Sequence, residues 1–176
     1  GDDDKNTIFQ NNPSAPSSNE TSSIFKIYTD DDNRVELFAV GIRNSFGLAV
    51  DPITGHLWET ENGFLFFDEI NLVKNKFNSG WSAIMGHSNV IDAVNDASLY
   101  EKGIQSLDGF VYSDPEFSWH NTIAVTAIAF PDMTNFGKYQ DWLFVGDFNN
   151  GRIYKFQLNS DRTEFIFSTP GLKDLV

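Results

Sequence analysis

Two stretches of this chain read alike. The first is Gly47-Leu48-Ala49-Val50-Asp51-Pro52, a turn, then Leu57-Trp58-Glu59-Thr60-Glu61, a loop, and Glu69-Ile70-Asn71-Leu72. The second is Ala127-Ile128-Ala129-Phe130-Pro131-Asp132, a loop, then Trp142-Leu143-Phe144-Val145-Gly146-Asp147, the tight turn Asn149-Asn150-Gly151, and Arg152-Ile153-Tyr154-Lys155-Phe156. Each describes three strands in meander order: a small-residue apolar inner strand, a middle strand that ends on a carboxylate, and a more polar outer strand. Repetition of a unit of this size is the signature of propeller blades. A β-sandwich accommodates the strand number but not the repeat.

Working outward, further strand-sized runs occur at 24–29, 35–40, 81–84 and 164–168, each bounded by Asp, Asn, Gly or Pro turn signals. Residues 1–21 are polar, rich in Asn, Ser, Pro and Asp, and read as a long loop. Residues 92–109 read as an insertion within the propeller, with a weak helical pattern from Asp92 to Leu107. The expectation is one all-β domain over 1–176, a portion of a propeller. A full propeller needs about four to eight blades, and this length accommodates about three to four.

Composition agrees. With 40% hydrophobic and 21% charged residues the 176-residue chain is globular, and 17 Phe and 4 Trp against 2 Met favour strands. No apolar run approaches the roughly 18 residues of a membrane span. A net charge of −13 repels polyanions, which argues against a nucleic-acid partner. The absence of cysteine excludes disulfide and thiol chemistry without fixing the compartment. Acidity, calcium-type motifs and the sequon Asn19-Glu20-Thr21 lean towards export to an extracellular or periplasmic setting, and the opening Gly1 is not a natural start.

The stretch Gly41-Ile42-Arg43-Asn44-Ser45-Phe46-Gly47-Leu48, followed by Asp51, Pro52, Thr54, Gly55, Leu57, Trp58, Glu61, Asn62, Gly63, Asp68, Glu69, Ile70, Asn71, Leu72 and Asn78-Ser79-Gly80-Trp81, resembles the glucose/sorbosone dehydrogenase family. Trp119 to Phe130 and Leu143 to Phe156 resemble its later blades. The resemblance implies a six-bladed-type propeller that oxidises aldose sugars with pyrroloquinoline quinone (PQQ) and calcium and hands electrons to an external acceptor. It places Arg43, Asn44 and Thr122 on the quinone and Trp119 beside the substrate. A guanidinium fork suits a tricarboxylate, although without the resemblance the pair Arg43 and Asn44 reads as ordering a turn. One calcium falls to the backbone carbonyls of Gly63 and Phe64, a second to the Glu69 side chain and the Ser79 carbonyl. Calcium takes about six to eight oxygens and accepts carbonyls readily.

The chain departs from the family pattern at Phe64-Leu65-Phe66-Phe67, where a polar glycine-rich loop is usual, and at Phe46 and Asn149, where polar cofactor contacts are usual. The family's general base, a histidine, belongs to blades preceding the matched region. His56, His87 and His120 do not inherit its role, so no catalytic residue is assigned. No phosphate loop, His/Cys metal cluster or nucleophile elbow offers other chemistry. The sequence therefore leaves two readings: a fragment of a sugar-oxidising enzyme, or a non-catalytic calcium-binding propeller serving as a binding or scaffold module, with Phe64 to Phe67 as a docking patch.

Overall fold

The computed structural model describes residues 22–30, 32–88 and 109–168. The polar loop with its sequon, and nearly all of the insertion, lie outside the described residues. The chain divides into two compact units, one of 1–44 and 74–114, the other of 45–73 and 115–176.

The first unit holds a mixed sheet. Strands β1 (Ser23–Tyr28) and β2 (Arg34–Val40) form an antiparallel hairpin, and the short strands β6 (Phe77–Asn78) and β7 (Val111–Tyr112) add in parallel to give the order β1-β2-β6-β7. The expected strand at 81–84 is instead a turn. Gly80 has φ +102°, and its carbonyl accepts the Ala83 and Ile84 amides at 2.8 and 3.0 Å, so the backbone curls.

The second unit contains both copies of the repeat. Strands β3 (Ser45–Val50), β4 (Leu57–Glu61) and β5 (Phe66–Val73) run as an antiparallel meander, closed by β8 (Phe117–Asn121) in the order β3-β4-β5-β8. Strands β9 (Val125–Ala129), β10 (Trp142–Asp147) and β11 (Ile153–Gln157) form the second meander, which has three strands. In β10 the period-two pattern is plain: Leu143, Val145 and Asp147 are buried, while Trp142, Phe144 and Gly146 are partly open. The expected strand at 164–168 reduces to one bridge, Leu158 with Phe165.

One core joins the two sheets. Trp58, Ile70 and Leu72 from the first face Val125, Ile128, Leu143, Val145 and Phe156 from the second, with Phe117 and Trp119 of β8 between them. Close approach depends on Gly47, where a Cβ would lie 2.8 Å from both Ile128 Cγ2 and Thr60 Oγ1. At the far turn Arg162 Nε donates to Asp51 Oδ2 at 2.6 Å, and its Nη1 donates to the Gln140 carbonyl at 3.0 Å. This buried ion pair ties the β3–β4 turn to the segment after β11.

Candidate functional site

The site begins at the end of the second unit where β4 passes into β5. Asp68 is fully buried and acts as a hub. Its Oδ1 accepts the Gly63 amide at 2.9 Å, and its Oδ2 accepts the Ile123 and Ala124 amides, each at 2.7 Å. A carboxylate taking three backbone N–H bonds fixes two loops against each other. Asn62 Nδ2 donates to the Val125 carbonyl at 3.0 Å, and the turn after β10 joins through Phe148 N to Ala124 O at 2.9 Å and Asn149 N to Ile123 O at 3.2 Å. Gly63, Phe64 and Thr122 are thereby brought to one end of the unit, with Asn149 Nδ2 3.4 Å from the Thr122 carbonyl.

The loop is tightly wound. A Cβ on Gly63 would meet the carbonyl oxygens of Phe66 and Phe67, and Phe67 itself sits at φ +64°, a conformation a bulky residue adopts only under constraint. The loop exposes Phe64 (52%) and Leu65 (67%) and buries Phe67. Phe66 stacks on His120 at 5.0 Å between ring centroids, and Phe67 meets the same imidazole edge-on at 5.1 Å. His120 is thus an aromatic buttress of this loop.

Trp119 lies in the core. Its ring packs against Phe117 at 4.7 Å, Tyr154 at 5.3 Å and Phe156 at 5.8 Å. Glu69 belongs to a buried polar face that the sequence did not single out. Asn71 Nδ2 stands 3.3 Å from Glu69 Oε2, and 3.5 Å from both Glu61 Oε2 and Glu59 Oε1. These four residues lie on the face of β4 and β5 opposite Trp58, Ile70 and Leu72, as the pairings Glu59 with Asn71 and Glu61 with Glu69 require. Burial, with the charge of Glu61 added, pushes the Glu59 carboxyl up to about 8, against hydrogen bonds from Ser45 and Asn71 that lower it. The carboxylates converge on one amide: among the described residues no three or more His, Cys, Asp or Glu side chains surround a metal position.

Arg43, Asn44 and Ser79 belong to the first unit. Arg43 is buried, its guanidinium 5.5 Å from the Trp81 ring centroid. Its segment runs beside that of Ser79, through Ser79 N to Val40 O and Trp81 N to Gly41 O, both 3.0 Å. The remaining histidines serve structure: His56 Nδ1 stands 3.4 Å from the Arg162 carbonyl, and His87 Nε2 3.6 Å from Asp114. No described helix is long and apolar enough to cross a membrane.

The aldose sugar dehydrogenase YliI of Escherichia coli K12 is 29% identical over 129 residues, which are 73% of this chain and 33% of that one. The crystal structure of the soluble aldose sugar dehydrogenase of Escherichia coli in its apo form superposes with a TM-score of 0.56 at 27% identity, over 83% of this chain and 40% of that one. The PQQ-bound aldose sugar dehydrogenase of Streptomyces coelicolor shares the fold at 22% identity and a TM-score of 0.50, over 73% and 30% of the two chains. The present chain spans about a third of the length of YliI, and its sheets are part of a β-propeller. The model of the glucose/sorbosone dehydrogenase family matches residues 4–171, and the chain belongs to that family.

Proposed function

We propose that this chain forms part of the cofactor face of a PQQ-dependent, calcium-assisted aldose dehydrogenase. The observation that carries the reading is the Asp68 hub, which brings the Gly63–Phe64 loop and Thr122 to one end of the two sheets. The donor set fits: Gly63 lies in a loop with no room for a side chain, as suits ligation by backbone carbonyl oxygen, and calcium accepts such oxygens. The carbonyls of Gly63 and Phe64 would hold calcium, the Thr122 hydroxyl would meet the quinone, and Arg43 and Asn44 would supply a guanidinium and an amide to its carboxylates. The Glu69 side chain, buried beside Asn71, would be a ligand of the second calcium.

When bound, the quinone supplies the acceptor for the hydride leaving the sugar, and an external acceptor then reoxidises it. Asp68 holds two loops in register, and Phe66 and Phe67 pack their rings on His120 beside them. None of the three histidines is assigned as the base, so these 176 residues alone should not turn over sugar.

Calorimetric titration of calcium and then PQQ into the chain tests this. Calcium-dependent quinone binding that is lost in Arg43→Ala upholds the reading, whereas absence of quinone binding at saturating calcium counts against it. A second reading, a calcium-binding propeller without catalysis, draws support from the exposed Phe64 and Leu65 and would leave calcium binding intact with no quinone bound. Export to the periplasm or the extracellular space belongs to either reading.

A further inference from the structure

The dipeptide Asn-Gly occurs twice in the chain, once after each middle strand of the repeat: Asn62-Gly63 follows β4, and Asn150-Gly151 lies in the turn after β10. In this pair the side-chain amide has least between it and the next backbone nitrogen, because glycine has no Cβ to screen its N–H. Asparagine is a heat-labile residue, and this pairing leaves it most open to attack from its own backbone. The two copies are held very differently.

At the first, both reacting groups are occupied. Asn62 Nδ2 donates to the Val125 carbonyl at 3.0 Å, the Gly63 N–H donates to Asp68 Oδ1 at 2.9 Å, and Asn62 is 9% exposed. A Cβ on Gly63 would run into the carbonyl oxygens of Phe66 and Phe67, so backbone fills the space beside this nitrogen. At the second, neither group is secured. Asn150 and Gly151 are exposed, and among the described residues no hydrogen bond engages the Gly151 N–H. Asn150 Nδ2 has one distant acceptor, Asp147 Oδ2 at 3.5 Å, and a Cβ built on Gly151 would meet nothing within 4 Å. Asn150 is anchored by its backbone, whose N–H donates to Asp147 Oδ1 at 2.6 Å, and its side chain is left to turn towards the nitrogen that follows it.

We propose that Asn150 is a site of spontaneous deamidation by cyclisation onto Gly151, and that the fold withholds Asn62 from the same reaction. The Gly151 nitrogen attacks Asn150 Cγ, and its proton passes through solvent to Nδ2. The Cγ–Nδ2 bond breaks, ammonia leaves and a succinimide remains. Water then adds to one of the two ring carbonyls, and the ring opens to aspartate or to isoaspartate. Either product replaces an amide facing Asp147 with a like charge. Isoaspartate also lengthens the backbone of a turn that meets the segment before β9 through Phe148 N to Ala124 O at 2.9 Å and Asn149 N to Ile123 O at 3.2 Å. This site stands independently of sugar oxidation.

The test is peptide mapping by mass spectrometry over time in warm, mildly alkaline buffer, on the full chain held folded and, in parallel, unfolded in urea, with isoaspartate counted by enzymatic methylation. Folded, Asn150 should convert several-fold faster than Asn62. Unfolded, the two pairs should approach one rate, with Asn62 gaining most, since its protection is a property of the fold. Gly151→Ala, which screens the attacking nitrogen with a methyl group, should slow conversion at Asn150 several-fold while Asn62 in the same chain stays slow. If that variant fails to fold, the wild-type comparison of folded and unfolded chains decides. Equal rates at Asn62 and Asn150 in the folded chain, an Asn150 that stays intact there while the unfolded chain converts, or conversion unchanged in folded Gly151→Ala would each overturn the proposal.

Discussion

The sheets β3-β4-β5-β8 and β9-β10-β11 share a meander order and differ in what they do with their second face. In the second sheet that face carries Trp142 and Phe144 of β10 and Ile153, Lys155 and Gln157 of β11, with Ile153 78% exposed. In the first it carries Glu59, Glu61, Glu69 and Asn71, all of them buried. Burying ionisable groups costs several kcal/mol each unless they are paired, protonated or bound to a cation, so polar residues on a covered face point to a specific use. The same backbone plan thus carries, among the described residues, one sheet whose second face is largely open and one whose second face is a buried polar layer.

Breaking the tie between the two sheets should have the greatest effect. Removing Arg162 leaves Asp51 buried without its charge partner, and Arg162→Ala should lower stability by about 3–5 kcal/mol in urea unfolding. Burial alone would raise the Asp51 pKa, but the hydrogen bonds from Arg162, the Ile53 amide and the Thr54 hydroxyl outweigh it and hold it below the usual carboxylate range. A group depressed in the folded state adds stability above its unfolded pKa and loses it as pH falls through the folded one. The difference between wild type and Asp51→Asn should accordingly shrink on acidification below about pH 4. A difference that stays constant down to about pH 2 would deny the ion pair its role.

The interior polar layer predicts the opposite pH dependence. Glu59 binds its proton more tightly folded than unfolded, so stability is fullest below about pH 4 for this group and declines as pH rises towards its folded value of about 8. Glu59→Gln should remove that decline and be more stable than wild type at about pH 9 by on the order of 2–3 kcal/mol. Parallel pH profiles for the two proteins would show that Glu59 is not the group concerned. Calcium should flatten the wild-type profile if a cation occupies the Glu69 region.

Much of this was legible beforehand, and the parts that were not have physical causes. The repeat fixed the meander because each copy carries its own apolar inner strand and turn residues within local reach. Strand β8 escaped notice because Phe-Ser-Trp-His-Asn is short and half polar, and it becomes a strand only through pairing with β5, a non-local contact. The stretch 81–84 misled in the other direction, since an apolar run looks extended until the φ of Gly80 turns it. Asp68, which holds the Gly63 loop against residues 123–124, stood in the motif without a role because nothing local distinguishes a hub carboxylate from a solvated one. The repeat likewise marked Glu61 as the carboxylate that ends its middle strand without revealing that it is buried together with Glu59, Glu69 and Asn71.

The loops after the two middle strands extend the comparison to glycine. Gly63 follows β4, and a Cβ there would run into backbone oxygens that cannot retreat without unwinding the loop. Gly63→Ala should destabilise by about 2–3 kcal/mol and, under the proposed function, weaken calcium binding measured by calorimetry. Gly151 follows β10 with φ +63°, and a Cβ there would have nothing within 4 Å, so only its backbone conformation is demanding. Gly151→Ala should therefore cost about 1 kcal/mol, and Gly151→Asn less, because asparagine tolerates the left-handed region. Equal losses for Gly63→Ala and Gly151→Ala in urea unfolding would mean that loop crowding at Gly63 is relieved cheaply. In that event the Gly63 loop would be as pliable as an ordinary hairpin turn, and under the proposed function the placement of its carbonyls would depend on calcium rather than on the fold.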